Sequence, residues 1–312
     1  MLNIATLTLK STGVLLIYIF AGYLLRHSNK FPENASKTLS ALTTTLFLPA
    51  YNIVNLSKNF TVDKIEQNMI LLGYGFLITF AVIGIGFVLA KCIGKTPFER
   101  KTLSYAFTFP NYGYFGYPLI ESVFGSEMLA NVLIFTIPLS IATNSYGYLL
   151  FSPEKNLSWK RIIATPSLIG TFIGSVIGLS GIVLPDFFSS ILSGTSSCMS
   201  PSSMILAGLV LGKFPLKKLL TGAKSYWLTA IRMIGIPLLL GFGLFLAGAR
   251  GIYFFIPLTL FSLPLGLNLV VFPESYGLDA SDNARMCFVS YLAAILILPI
   301  TFGFLANLAG LL

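Results

Sequence analysis

Charge is scarce in this 312-residue chain: Asp, Glu, Lys and Arg together make 10% of it, while 55% is hydrophobic. Soluble domains carry about 25% charged residues because their surface faces water, so water is not the main solvent of this one. Histidine is scarcer still. His27 stands alone, in a basic stretch, and no helical HExxH or comparable pair can be assembled from it. The three cysteines, Cys92, Cys198 and Cys287, lie too far apart for metal-ligand spacing and read as apolar fillers. No enzyme, metal or cofactor is therefore expected. A glycine-rich phosphate loop of the GxxxxGK[ST] form is also missing, so nothing supports use of ATP. The first apolar run is not followed by a small-residue cleavage site, and its basic neighbours Arg26, His27 and Lys30 come after it. It reads as a retained span.

What the chain does have is apolar runs long enough to cross a bilayer core, about 20 residues each. Ten are expected, at 5–25, 35–56, 69–90, 102–120, 130–150, 162–182, 188–211, 226–247, 252–272 and 285–308. The net charge of +9 is not spread evenly. Lys and Arg gather in alternate connections: Arg26, Lys30 and Lys37; Lys91, Lys95, Arg100 and Lys101; Lys155, Lys160 and Arg161; Lys213, Lys217, Lys218 and Lys224. This is the positive-inside pattern. It makes the lipid bilayer the partner and nucleic acid not, and it places both termini outside the cytoplasm of a multi-pass protein of the cell membrane.

Prolines recur at a fixed distance. Pro185 follows Pro32 by 153 residues, Pro201 follows Pro49 by 152, and Pro264 follows Pro110 by 154. Pro299 follows Pro138 by 161, which an insertion around 273–283 would absorb. The chain thus divides into residues 1–151, a short linker at 152–159, and residues 160–312, with five spans in each half. An odd number of spans turns the second half over relative to the first. The expected fold is all-α and polytopic, with ten transmembrane helices in two inverted five-helix repeats. The fourth and ninth spans are its broken helices: Pro110, Gly113 and Gly116 interrupt AFTFPNYGYFG, and Pro264 and Gly266 interrupt TLFSLPLGLN. In lipid such interruptions survive only where the freed backbone groups face protein or a polar cavity. Matching interruptions in two inverted halves point to a midplane binding site, where half-helix N-termini favour an anion.

Over nearly its whole length the chain resembles the auxin efflux carrier family, which includes plant PIN-type carriers and bacterial permeases. The stretches that carry the likeness are AGYLLRHSNKFPENASKTLSALTTTLFLPAYNIVNL, FPNYGYFGYPLIESVFG, TPSLIGTFIGSVIGLSGIVLP, SPSSMILAGLVLG and RMIGIPLLL. The resemblance implies a scaffold and a transport domain, a crossover of two proline-broken helices, and a substrate-facing polar residue near Asn111. It implies a secondary transporter working by alternating access on small organic anions, such as a mono- or dicarboxylate. The plant carriers' long loop between the halves is absent here, which matches the compact prokaryotic type. The alternative is a sodium- or proton-coupled carrier of the bile-acid or sodium–proton antiporter kind.

Several residues are candidates for that site. Asn111 could donate to a carboxylate or cap the broken helix, and Asn111→Ala is expected to abolish ligand stabilisation while leaving the ligand-free melting point nearly unchanged. Asn268 is its counterpart after Pro264. Tyr112, Tyr114 and Tyr117 crowd the first break. Tyr51, Asn52 and Asn55 follow Pro49, and the two asparagines share a helix face suited to helix contact or substrate contact alike. Arg232 is the one cation expected inside a span, more readily structural than anion-binding. Glu121, Glu274, Asp279 and Asp282 are expected near span ends in water. With no carboxylate in mid-span, the chain is expected to act as a facilitator or exchanger. Whether two copies form a homodimer is left open.

Overall fold

A computed structural model describes residues 2–28, 31–153 and 159–308. Lys30, Lys155 and most of the linker lie outside the described residues. The first half contains α1 (Leu2–His27), α2 (Ala35–Leu42), α3 (Leu48–Asn59), α4 (Ile65–Ile93), α5 (Pro97–Thr108), α6 (Tyr117–Phe135) and α7 (Ile137–Ala142). The second contains α8 (Trp159–Ile163), α9 (Pro166–Ser180), α10 (Asp186–Ser197), α11 (Met199–Leu211), α12 (Leu216–Leu219), α13 (Ala223–Ala230), α14 (Ile236–Leu246), α15 (Ile252–Phe261), α16 (Asn268–Ser275) and α17 (Ser281–Leu308).

Among the described residues, five helical runs are long and apolar enough to cross a membrane: Asn3–His27, Val62–Ile93, Tyr112–Phe135, Ala223–Leu246 and Ser281–Leu308. The third is not one rod. Gly125 sits at φ 83° and ψ 175°, a conformation open to glycine, and turns the chain between two helices. Elsewhere the expected spans are divided into shorter helices. The outer faces of α4, α9 and α14 are apolar, with Phe80, Phe172 and Phe242 largely exposed, as a lipid-facing surface requires.

Prolines act in two different ways. Pro49, Pro118 and Pro237 each stand two residues past a wide π-helical turn, at Thr43–Phe47, Tyr112–Gly116 and Ile231–Gly235 respectively. A proline ring pushes away the carbonyl four residues back, and the widened turn makes room for it. The helix therefore carries on past Pro49. Hydroxyl runs satisfy the loosened carbonyls. Thr43, Thr44 and Thr45 donate to Leu39, Ser40 and Ala41 at 2.7, 2.8 and 2.6 Å. Thr143, Asn144 and Ser145 do the same one turn back in a fourth wide turn, Thr143–Gly147. At Pro110 and Pro264 the helix stops outright. Phe109, forced toward extended geometry by the proline after it, has φ −107° and ψ 106°.

Close helix packing relies on missing side chains. A Cβ built on Gly208 of α11 would lie 2.0 Å from the Ile19 carbonyl oxygen of α1, and one on Gly22 would lie 2.2 Å from the Ile205 oxygen. On α9, Gly170, Gly174 and Gly178 form a GxxxGxxxG stripe whose added Cβ atoms would meet the backbone of Pro49, Ile53 and Phe60. These are the two most extensive helix pairings, α1 with α11 and α3 with α9. Without an apolar-versus-water drive inside lipid, such backbone-to-backbone contact is the main packing force available.

Candidate functional site

The two broken segments meet. Phe109–Asn111 and Pro264–Gly266 pair as a single antiparallel bridge centred on Pro110 and Leu265. Asn111 N–H donates to the Pro264 carbonyl at 2.8 Å, and Gly266 N–H donates to the Phe109 carbonyl at 3.2 Å. Leu265 N–H is taken by Ser290 Oγ of α17 at 3.1 Å. The donors released by each proline are thereby satisfied by the other break and its neighbour. Gly266 is needed here, since a Cβ would approach the Phe109 and Pro110 carbonyl oxygens to 3.2 and 3.3 Å. Gly116 packs under Leu263, whereas a side chain at Gly113 would meet open space.

Asn111 is buried and used three ways by the protein. Its Oδ1 accepts from Tyr114 N–H at 3.3 Å, its carbonyl accepts from Gly116 N–H at 2.9 Å, and its Nδ2 donates to the Tyr291 hydroxyl at 2.6 Å. The cap is on the N–H groups of the following segment, not on a freed carbonyl. Asn268 opens α16 and, like Tyr105, lines the space beside the break. Tyr112 meets Thr143 Oγ1 at 3.3 Å, and Tyr117 meets Thr136 Oγ1 at 2.7 Å.

Beside the crossing is a cavity of about 320 Å³. Pro110, Asn111, Tyr112, Gly113, Tyr114, Tyr117, Gly266 and Asn268 all line it, so most of the sequence candidates converge on one space. Tyr105, Thr44, Ser140, Thr143, Asn144 and Ser167 line it too and were not singled out from sequence. The signal for some was present in the hydroxyl-rich runs TTT and TNS within otherwise apolar spans. Among the described residues, those lining the cavity carry no charge. Its polar character comes from hydroxyls, amides and the starts of two helices at Tyr112 and Asn268, where Asn111, Gly266 and Leu267 already take the N–H groups of Tyr114, Gly116, Leu269, Val270 and Val271. That combination suits a small ligand with negative charge or several acceptor oxygens.

Tyr51 and Asn52 do not line this cavity. Tyr51 donates its hydroxyl to Glu121. Asn52 Nδ2 holds α9 through the Ser167 carbonyl, Ser167 Oγ and Thr171 Oγ1, each at 3.1 Å. Asn55 turns back to the Tyr51 carbonyl at 2.9 Å. Asn52 thus serves helix contact, while Asn55 bonds within its own helix. Glu121 also departs from expectation. The helix continues past Ile120 to the Gly125 corner, so Glu121 is a half-buried helical residue and not a loop charge in water. Arg232 is fully buried. Its Nη1 donates to the Phe261 carbonyl at the end of α15 at 2.5 Å, its guanidinium lies 5.6 Å from the Phe261 ring centroid, and its Nε and Nη2 have no partner among the described residues. A cation at a helix C-terminus answers the negative end of the helix dipole.

Long apolar helices with lipid-suited exteriors, and two interrupted helices crossing beside a polar cavity, define a multi-pass membrane protein. The chain belongs to the auxin efflux carrier-like family described as membrane transport protein, whose pattern matches residues 10–158 and 155–302. It is similar to an uncharacterized transporter of Methanothermobacter thermautotrophicus, 24% identical over 290 residues that cover 91% of this chain and 94% of that one. It is also similar to an uncharacterized transporter of Methanocaldococcus jannaschii, 26% identical over 212 residues, covering 65% and 69%.

Proposed function

We propose that this protein is a secondary carrier of small organic anions, mono- or dicarboxylates, that binds its substrate in the cavity beside the Pro110–Leu265 bridge and works by alternating access. The observation that carries the reading is the pairing of two broken helices through their backbones next to an uncharged polar cavity. The side chains of Asn268 and Tyr112, with the leading N–H groups of the two helix starts, supply donors for a carboxylate there. Asn111 shapes the floor and has one amide N–H left to offer.

The ten-span, two-repeat architecture belongs to the same proposal and has support beyond the prolines. Glu274 follows Glu121 by 153 residues, and Gly277 follows Gly125 by 152, both glycines having positive φ. The family match falls into two stretches that meet at 155–158, where the halves were divided. The pairings α1 with α11 and α3 with α9 exchange the two halves, as a two-fold relation demands. They are also the natural scaffold against which the crossing helices would move. Pro138 and Pro299 do not fit. Only Leu278–Ala280 separate Gly277 from α17, too short a stretch for the insertion that would align them. The cavity is walled by Tyr105, Thr165 and Ser167, near the basic clusters, which supports a cytoplasm-facing state with both termini outside.

Uptake of labelled carboxylates into proteoliposomes tests the carrier reading. With the pH and sodium gradients removed, an imposed potential should still drive an anion, at about 2.3 kcal/mol per charge per 100 mV. Strict dependence on either gradient, with the potential clamped, would support the coupled alternative instead. The half-buried Glu121, bonded to Tyr51 across two helices, is the observation in that alternative's favour.

A further inference from the structure

A second cavity, of about 340 Å³, lies between the end of α4, the start of α5 and the segment around Tyr146. Its walls are apolar: Phe87 and Ala90 on one side, Tyr146 and Leu150 on the other. The one hydroxylated neighbour on α5, Ser104, is already bonded to the Tyr146 hydroxyl at 2.7 Å. Phe87 is 57% exposed and continues the outward apolar face of α4 that includes Phe80 and Val88. The fissure therefore opens onto the surface that meets hydrocarbon.

Its mouth is different. Lys91, Arg100 and Lys101 surround it, and none of the three is in an ion pair among the described residues. Arg100 is positioned by its Nε donating to the Gly94 carbonyl at 2.9 Å, which fixes the guanidinium over the short α4–α5 connection. The carboxylate adjacent in sequence, Glu99, is committed elsewhere. It pairs with Lys224, accepts from Lys95 N–H at 2.8 Å, and lines a separate crevice with Ser225 and Asn283. Three uncompensated cations thus ring an apolar slot at the level where a span ends.

We propose that this fissure is a binding site for a phospholipid with a net negative headgroup, its phosphate held between Lys91, Arg100 and Lys101 and an acyl chain laid along Phe87, Ala90 and Leu150. The chemistry selects this occupant over others. A water-soluble phosphate would satisfy the mouth and leave the apolar slot empty. A zwitterionic lipid would fill the slot but bring no net charge to the cations. Basic pockets between membrane helices on the cytoplasmic side favour anionic headgroups, at roughly fivefold in affinity per cation near the surface. The inference is independent of the carrier reading, since the fissure shares no residue with the crossing cavity.

The test uses the full chain purified in a neutral detergent. Phosphatidylglycerol, phosphatidylcholine and glycerol phosphate are titrated separately, and the melting midpoint is followed, because a ligand that binds only the folded state raises it. Phosphatidylglycerol is expected to raise the midpoint well above the effect of phosphatidylcholine. In the Lys91→Gln/Lys101→Gln double variant its apparent affinity should fall about twenty-five-fold. Lys95→Gln, which alters a nearby cation outside the fissure, should leave the affinity unchanged. Native mass spectrometry of the wild type in an equimolar lipid mixture gives a second measurement that needs no variant, with one retained phosphatidylglycerol expected. Equal stabilisation by phosphatidylcholine, equal stabilisation by glycerol phosphate, an undiminished effect in the double variant, or an equal loss in Lys95→Gln would each overturn the proposal.

Discussion

At the scale of single residues, Asn111 and Arg232 have roles that their neighbours decide. Asn111 Oδ1 caps the segment after the break and its Nδ2 serves Tyr291. Losing a cap costs about 1 kcal/mol, and stranding a buried partner adds a similar amount. Asn111→Ala should therefore destabilise the ligand-free protein by about 2 kcal/mol in denaturant unfolding. This reverses the expectation drawn from sequence. An unchanged unfolding midpoint would restore the view that the amide serves substrate alone. Arg232 buries a charge with a single carbonyl acceptor and two unpartnered nitrogens. Burying an unpaired charge is costly, whereas a neutral donor to the same carbonyl is not. Arg232→Gln is accordingly expected to hold or raise the melting point; a drop of many degrees would mean the guanidinium has a partner that matters in the membrane.

At the scale of elements, glycine positions separate packing from propensity. Gly208 of α11 meets the α1 backbone, so Gly208→Ala must push two helices apart and should cost more than about 2 kcal/mol. Gly84 of α4 has nothing within 4 Å of its would-be Cβ. There alanine gains only its better helix propensity, and Gly84→Ala should be neutral or stabilising by up to about 1 kcal/mol. The two substitutions are chemically identical, and unfolding measurements should give them opposite signs. The start of α5 shows an electrostatic counterpart. Thr96 Oγ1 accepts from Glu99 N–H at 3.1 Å, and Glu99 reaches back to Lys95 N–H, a reciprocal cap. The Lys224 side chain bonded to Glu99 holds its carboxyl below the ordinary 4.5, with the backbone donors helping. A lowered folded value means the contribution is present above pH 4.5 and disappears as pH falls through the folded value. Melting curves against pH should thus steepen below 4.5 in the wild type and less so in Glu99→Gln.

At the scale of the whole molecule, the proposed carrier mechanism requires that contacts between the crossing helices and their surroundings break during movement. Glu121, on the helix after the first break, is held by Tyr51 of α3. Glu274, at the matching place after the second, is held by Lys213 beyond α11 at 2.6 Å. Each latch ties a broken helix to the α3 or α11 side of the protein, and the proposed two-repeat arrangement would put them at opposite faces. Tyr51→Phe removes the first latch without changing bulk. In a background where the exposed Cys92 and Cys198 are serine, it should make a cysteine at Ser122 react severalfold faster with an impermeant thiol reagent from outside. Unchanged labelling would mean that the contact is incidental to access.

Much of this protein is a local matter and was legible along the chain. Lipid offers backbone groups no partners, so each segment must be apolar and helical, and any interruption must be marked by proline or glycine. Hence the apolar runs, the breaks at Pro110 and Pro264, and the convergence of Asn111, Tyr112, Tyr114 and Asn268 could be read in advance. What the sequence could not reveal were facts about pairs far apart in it. The Pro264 carbonyl receives the Asn111 N–H, Asn52 turns to Ser167 and away from the cavity, Glu121 finds Tyr51, and Arg232 finds only Phe261. Propensity and hydropathy depend on neighbours in the chain, whereas a hydrogen bond or an uncompensated charge depends on which atoms packing brings within about 3 Å. That selection belongs to the tertiary structure alone.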